Sequence, residues 1–316
     1  MKSKQKWLFH GCSMTQDYFE PMFRWEDLPW DPEKHENRSY PYWLSQTRDI
    51  DFVNLAYGGN GNDLILTESI DYITHHDDID GVCVGLSGWE RFEFFGKRRN
   101  VNTTHHILVK KFFDEGKITR QQFRDAHKGP SADIEFKRFM NEVDKLGRID
   151  HHPDVIFAAC DSMANDDGHA IRFWTLTLKR LITLQRVCDM KNIPLVVAQN
   201  IPPVYYHDSL SSVLKRCPDL TDEDRRFCKN MLQDNEYVKL IIKTSKYYKK
   251  VEEIAERGNV WGWPFFPEWG GTIVSRAPFL HFNGKIHISE TNRHWNKKGH
   301  QLVAKHVYGP MIEKHL

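Results

Sequence analysis

The fold of this chain is decided by a short apolar run at residues 81–86, which read GVCVGL. An unbroken apolar run of this length predicts a strand that is buried on both faces. Three other stretches, at 6–12, 51–56 and 192–199, predict strands of the same kind. Strands buried on both faces are typical of a parallel sheet that is covered by helices.

Helical patterns separate these strands. Residues 64–74 have helical periodicity after a predicted cap at Asn62-Asp63. A longer amphipathic helix is predicted at about 170–190, where apolar side chains recur at helical spacing. The alternation predicts an α/β protein with a three-layer α/β/α, flavodoxin-like fold around a central parallel sheet. Right-handed crossovers then bring the carboxyl ends of the strands to one edge, and the residues that follow those ends are Ser13, Gly59 and Ser87.

Two segments interrupt this alternation of strands and helices. Residues 95–150 are charged and rich in histidine, and we expect them to be helical. Residues 203–285 contain a helical stretch at 221–257, followed by an aromatic segment at 260–271. Since the 316-residue chain has no internal repeat and no low-complexity linker, we expect a single domain, 1–316, with insertions at about 95–150 and 203–285.

Composition excludes several classes of partner. The formal net charge is +1, which gives no basis for binding nucleic acid or an anionic membrane surface. No apolar stretch is long enough for a membrane span or a signal peptide, so we expect a cytoplasmic protein. The six cysteines form no C-x-x-C pair and the histidine doublets have poor ligand spacing, so we expect no metal and no cofactor. No pattern in the sequence predicts an oligomeric state.

Two remote segments carry the residues for acyl transfer. Ser13 follows the first predicted strand, and residues 294–300 read HWNKKGH directly before the last apolar-periodic stretch. A serine after a first strand and a histidine before a last helix can meet as nucleophile and general base in an α/β fold. The ordinary alternatives are a helix cap for Ser13 and a structural role for His294 beside Trp295.

The order of these segments resembles that of the SGNH/GDSL hydrolase superfamily, over the sheet-forming half of the chain. Gly11-Cys12-Ser13 stands in the place of the family's G-D-S segment, which implies that Ser13 is the nucleophile and that Cys12 replaces the usual aspartate. Residues 54–59, NLAYGG, resemble the family's glycine block. This likeness implies that the backbone N–H of Gly59 donates to the oxyanion, whereas a plain tight turn is the ordinary alternative.

The other two blocks match with substitutions. Ser87 stands where the family's third block has asparagine, which implies an oxyanion donor that acts through its hydroxyl or its backbone N–H. The last block is similar to the D-x-H-W-N-x-x-G-H segment of O-acyltransferase and esterase relatives, which implies that His294 is the general base. Asn292 takes the place of the expected aspartate, so it can orient the imidazole but cannot neutralise the imidazolium.

Three further residues are candidates for substrate binding. Arg91 could anchor an anionic group, although a local ion pair with its glutamate neighbours is the ordinary alternative. Trp295 flanks His294, and Trp263 belongs to an aromatic cluster that could stack on a sugar or cover an acyl group. The same cluster could equally be a local hydrophobic core.

The expected function is a serine ester hydrolase that transfers an acyl group to water, acting on a small-molecule or carbohydrate ester. Two alternatives stay open. The departures at Cys12, Ser87 and Asn292 are also what a catalytically inactive binding or structural module with this fold would have. A thiol nucleophile at Cys12 is the third hypothesis.

Overall fold

The computed structural model describes residues 4–17, 38–88, 92–93, 100–101, 112–119, 121–122, 167–200, 219–231, 236–261, 273, 286 and 294–316. The chain divides into two compact units. The first comprises Met1–Trp89, Thr175–Pro203 and Lys243–Leu316, and the second comprises Glu90–Trp174 and Val204–Ile242. The two segments of the second unit overlap the two predicted insertions, and a single domain with insertions stays a prediction.

The described helices and strands alternate from the first strand to the third and follow a less regular order after it. In chain order they are β1 (Gln5–His10), α1 (Tyr40–Thr47), β2 (Ile50–Asn54), α2 (Asn62–His75), β3 (Gly81–Leu86), β4 (Phe92–Glu93), β5 (Asn100–Val101), α3 (Asp167–Lys191), β6 (Leu195–Gln199), α4 (Asp222–Met231), α5 (Glu236–Thr244), α6 (Lys246–Ile254), a π-helical turn (Ala255–Asn259), β7 (Val260–Trp261), α7 (Lys297–Val303), a second π-helical turn (Ala304–Tyr308), α8 (Gly309–Ile312) and a 3-10 turn (Glu313–His315).

The first unit is built on a five-stranded sheet in which every pairing is parallel. The strand order is β2-β1-β3-β6-β7, the order of flavodoxin-like sheets, in which the chain reverses direction across the sheet after β2. The predicted α/β class, parallel sheet and flavodoxin-like topology are therefore confirmed. The four predicted strands are all present, whereas β7 was assigned to an insertion because its two residues carry too little strand pattern to recognise.

Burial explains why these segments form the sheet. All residues of β3 and β6 are buried, as expected for strands covered on both faces. The predicted apolar stripe of α3 is also present, with Leu178, Leu181 and Leu184 fully buried. Complete burial of a leucine side chain contributes about 1.5–3 kcal/mol, so this stripe holds the helix in place.

The start of α2 differs from the expectation. Asn62 was predicted to cap this helix, but the cap is Gly61 and Asn62 is the first helical residue. The amide of Asn62 is engaged elsewhere, because its Oδ1 accepts a hydrogen bond from the N–H of Ser87. The side chain therefore ties α2 to the end of β3 instead of closing its own helix.

The second unit contains a short antiparallel ribbon in which Phe92 pairs with Val101 and Glu93 with Asn100. An ion pair of 2.9 Å joins Lys117 Nζ to Asp224 Oδ1. Burial acts to raise the pKa of the Asp224 carboxyl, but the hydrogen bonds from Lys117 and Thr221 together lower it below its ordinary value. Across both units, the described residues include no helix with the length and apolar character that crossing a bilayer requires.

Candidate functional site

Ser13 lies in a tight turn that follows β1. The carbonyl of Cys12 accepts hydrogen bonds from the N–H of Thr15 (2.8 Å) and of Gln16 (3.3 Å), so the backbone reverses around Ser13. Ser13 is half-buried, whereas Cys12 is completely buried. This difference in exposure favours the hydroxyl over the thiol as the group that a substrate can reach.

The imidazole of His294 meets the hydroxyl of Ser13. His294 Nε2 lies 2.7 Å from Ser13 Oγ, although the two residues are 281 positions apart in the chain. The residues that follow His294 fix its position, because Asn296 Oδ1 accepts from the N–H of Gly299 and caps α7. The Asn296 N–H also donates to the carbonyl of Ile286 (2.8 Å). This geometry is the one that a serine nucleophile and its general base require.

The glycine block forms a turn next to Ser13. The N–H of Asn60 donates to the carbonyl of Tyr57 (3.2 Å), and Gly59 has φ of 91° between them. A positive φ at the third position of a four-residue turn is typical of a type II turn and favours glycine. The N–H of Gly58 is already bonded to Gln16 Oε1 (2.7 Å). The bond from Gly58 to Gln16 therefore holds the turn against the segment that contains Ser13. Donation by the N–H of Gly59 to an oxyanion stays a prediction.

Replacing Gly59 by alanine should destabilise this turn by about 1–2 kcal/mol, because an L side chain is strained at this backbone angle. Gly58→Ala is the matched control, since a Cβ there would be 3.8 Å from Ser13 Cβ and 3.4 Å from Gln16 Oε1, which are ordinary contacts. Urea unfolding of both variants measures the difference. Equal stability of the two variants would contradict the assigned turn.

Ser87 lies at the carboxyl end of β3 with its peptide groups already bonded. Its N–H donates to Asn62 Oδ1 (2.7 Å), and its carbonyl accepts from Asn62 Nδ2 (3.3 Å) and from Gln199 Nε2 (2.8 Å). The expected backbone route from Ser87 to an oxyanion is therefore occupied by Asn62. Donation through the Ser87 hydroxyl stays a prediction.

A buried polar network lies beneath the Ser13 turn. Thr15 Oγ1 accepts from Asn200 Nδ2 (3.1 Å) and from the hydroxyl of Tyr40 (3.3 Å). Tyr308 donates to Asn200 Oδ1 (2.7 Å), and the Asn54 amide donates to the carbonyl of Thr15 (2.9 Å). None of these residues is among those predicted from the sequence. The polar residue Asn200 directly after the apolar strand β6 was the signal, because it repeats the pattern of Ser13 and Ser87.

A second histidine lies close enough to the proposed base to feel its charge, and a carboxylate acts on the same second histidine. His300, which is 2% exposed, stacks on Tyr40, and its ring centroid lies 6.4 Å from that of Tyr40. Burial lowers the pKa of His300 to about 3; the Asp17 carboxylate opposes this shift and His294 adds to it. Asp17 is itself held by Ser39, whose N–H and hydroxyl donate to Oδ1 at 2.7 and 2.8 Å. His300 is therefore neutral at physiological pH and adds no second positive charge beside His294.

The neutral state of His300 predicts a loss of stability in acid. The unfolded chain protonates His300 near pH 6.5 and the folded chain only near pH 3. The free energy of unfolding is therefore undiminished above pH 6.5 and decreases as the pH falls below it. The expected slope is about 1.4 kcal/mol per pH unit between these limits. Urea unfolding from pH 4 to 8 should show a shallower dependence for His300→Gln than for wild type, whereas His75→Gln, on an exposed face of α2, should match wild type. Parallel curves for wild type and His300→Gln would contradict the lowered pKa.

The remaining candidate residues have different outcomes. Trp295 is fully buried and packs edge-on against His300, with ring centroids 5.6 Å apart. The substrate-binding role of Trp295 stays a prediction, and its ring has no exposed surface in this structure. Asn292, Arg91 and Trp263 lie outside the described residues, and their predicted roles stay predictions.

Comparison of the sequence with protein-family models finds no match, and no curated protein is significantly similar to it.

Proposed function

We propose that this chain is an SGNH-like serine ester hydrolase. The observation that carries the proposal is the 2.7 Å separation of Ser13 Oγ and His294 Nε2. A serine hydroxyl is a weak nucleophile on its own, and a hydrogen-bonded imidazole is the usual means of activating it. The half-buried setting of both residues supports access by a small ester group.

In the acylation step, Ser13 Oγ attacks the ester carbonyl while His294 Nε2 takes the hydroxyl proton. The tetrahedral intermediate then collapses, the ester C–O bond breaks, and His294 gives the proton to the departing alcohol. In the deacylation step, water attacks the acyl-serine and His294 takes one of its protons. The acid leaves, and the proton returns to Ser13 Oγ, so the enzyme is regenerated with no net change.

The imidazolium formed in each step needs an environment that tolerates positive charge. His300 remains neutral because burial lowers its pKa to about 3, so the charge on His294 is not opposed by a second imidazolium. Asp17 adds a negative charge near His300, since it favours the charged form of that ring.

The proposed substrate is a small-molecule or carbohydrate ester. Tyr57, two residues before Gly59, has 63% of its surface exposed, and its N–H donates to the carbonyl of Gly11 next to the Ser13 turn. An exposed aromatic ring beside a reactive serine can stack on a sugar face. The exposed ring of Tyr57, in a turn whose backbone is bonded to Gly11, supports a carbohydrate ester as the substrate.

Pre-steady-state hydrolysis of p-nitrophenyl acetate tests the proposal. We expect a burst of p-nitrophenol of about one equivalent per protein, followed by slower turnover, because acyl-serine accumulates when deacylation limits the rate. Ser13→Ala measures the background from other nucleophilic side chains. A wild-type trace that matches Ser13→Ala would favour a binding module with this fold.

A further inference from the structure

His10 is a buried titratable residue that the proposed reaction does not use. It is the last residue of β1, three positions before Ser13, and its side chain has no exposed surface. Its ring contacts α2 through Ser69 and Glu68, and it contacts the glycine turn through Asn60. His10 therefore connects the segment that contains Ser13 to the turn at residues 57–60. A change in the protonation state of its ring affects the position of both.

The contact with Ser69 fixes one proton of the ring. Ser69 Oγ donates its single hydrogen to the carbonyl of Ile65 at 2.6 Å. At 3.1 Å from His10 Nδ1, the same oxygen must therefore accept, so Nδ1 carries a hydrogen. The other ring nitrogen, Nε2, is then an acceptor in the neutral ring and a donor in the imidazolium.

The two neighbours of Nε2 favour opposite charge states. Asn60 Nδ2 lies 3.4 Å from it and also donates to the carbonyl of Gly11 (3.3 Å), which identifies this end of the amide as the NH₂ group. An NH₂ group bonds to the neutral ring. Glu68 Oε2 lies 3.5 Å from the same nitrogen and bonds to the imidazolium.

Asn60 connects the charge state of His10 to the turn beside Ser13. Its NH₂ group bonds to Gly11, at the start of the nucleophile segment, and its backbone N–H closes the turn that contains Gly58 and Gly59. When the ring is neutral, Asn60 bonds to both His10 and Gly11. When the ring is charged, two donors face one another at 3.4 Å, and the amide must move away.

We propose that His10 is a positioning residue for the ester hydrolysis proposed above: its neutral ring holds Asn60, and with it the glycine turn beside Ser13, whereas protonation transfers Nε2 to Glu68 and releases the turn. The catalytic consequence rests on the proposed function. The structural consequence, that the turn loosens when His10 is protonated, does not depend on the proposed function.

The other strands around His10 bring no competing charge from the described residues. On β3, Val84 lies opposite His10, and burial raises the pKa of the Cys83 thiol well above its ordinary value, so that thiol stays neutral. Phe9, the neighbour of His10 on β1, pairs with the uncharged Asn54 of β2. Cys12, in the segment that follows β1, is buried. Among the described residues, Glu68 of α2 forms an ion-pair contact with His10, and it is the group that the experiment removes.

The first arm of the test is the pH dependence of kcat/KM. In wild type, both His294 and His10 must be neutral, so the acid limb should approach a two-proton slope. Glu68→Gln removes the carboxylate that favours the imidazolium, so its acid limb should lose one proton of slope and lie at slightly lower pH, where His294 alone sets it. Asp71→Asn, an exposed carboxylate on the same helix, is the control and should match wild type.

The second arm needs no catalytic activity. Nitrogen-15 NMR of the histidine rings, with His10→Gln to assign the signal, follows the protonation of His10, and hydrogen exchange followed by mass spectrometry reports on residues 57–60. We expect His10 to protonate at lower pH in Glu68→Gln than in wild type, and the exchange rate at 57–60, relative to the intrinsic rate at each pH, to rise as His10 becomes charged. Unchanged protonation in Glu68→Gln, or exchange that does not follow it, would overturn the proposal even if ester hydrolysis is present. Absence of hydrolysis with both effects present would reject only the proposed function.

Discussion

Ser13→Ala is expected to reduce the hydrolysis of p-nitrophenyl acetate by about 10⁴-fold or more, because the variant has no atom that can carry the acyl group. His294→Ala should have a comparable effect, since Ser13 Oγ would lose the base that lies 2.7 Å away. The double variant should be no slower than either single variant, because residues that act as one unit are not additive. Initial rates with the burst resolved provide the measurement.

The control for this experiment is Ser45→Ala. Ser45 is half-buried on α1, where its hydroxyl donates to the carbonyl of Tyr42 (2.8 Å), and it takes no part in the proposed chemistry. We expect this variant to retain the wild-type rate. A Ser13→Ala protein as active as Ser45→Ala would remove Ser13 from the reaction, and inactivation of wild type by iodoacetamide would then direct attention to Cys12.

Gly85→Ala is expected to lower the free energy of unfolding by about 2–3 kcal/mol. A Cβ at this position would overlap Asn200 Nδ2 and lie 2.8 Å from Asn200 Cγ. It would also lie 3.0 Å from Thr15 Oγ1, which is the acceptor at the centre of the buried network. The strand cannot accommodate the methyl group without moving an amide that Tyr308 and Thr15 both bind, so we expect lower stability and a displaced Ser13 turn.

A double-mutant cycle separates this steric conflict from a general intolerance of β3. In an Asn200→Ala background the overlapping amide is gone, so Gly85→Ala should cost much less than it does in wild type. Urea unfolding of the four proteins gives the coupling. Additive costs in the double variant would show that Asn200 is not the group that requires glycine at position 85.

The sequence predicts the strands of the sheet better than it predicts contacts between remote side chains. The buried strands were predicted because an unbroken apolar run such as 81–86 indicates a strand covered on both faces. The parallel order of the strands then placed Ser13 and Gly59 at one edge of the sheet. The partner of Ser13 was predicted only through a pattern of residues around His294. Local sequence carries no information about which residue 281 positions away will contact it.

Side-chain partners were predicted least well. Asn62 was expected to cap a helix, which is a common use of asparagine, yet its amide binds the peptide of Ser87. Trp295 was expected near a substrate because it flanks His294, but neighbouring residues at a helix start point in different directions and its ring is buried. The roles of His10 and Asn60 depend on partners from several elements, and no spacing within one segment could have identified them. Asn200 had a local signal, its place directly after β6, but its partners Thr15 and Tyr308 come from other segments.

Intact-mass and peptide analysis after reaction with a fluorophosphonate probe tests the Ser13–His294 pair most directly. A serine activated by a hydrogen-bonded imidazole reacts with such a probe, whereas ordinary surface serines do not. The wild-type protein should gain one adduct, on the peptide that contains Ser13, and His294→Ala should react far more slowly. An unlabelled wild-type protein, or an adduct that persists in Ser13→Ala, would contradict the shared proton on which the account depends.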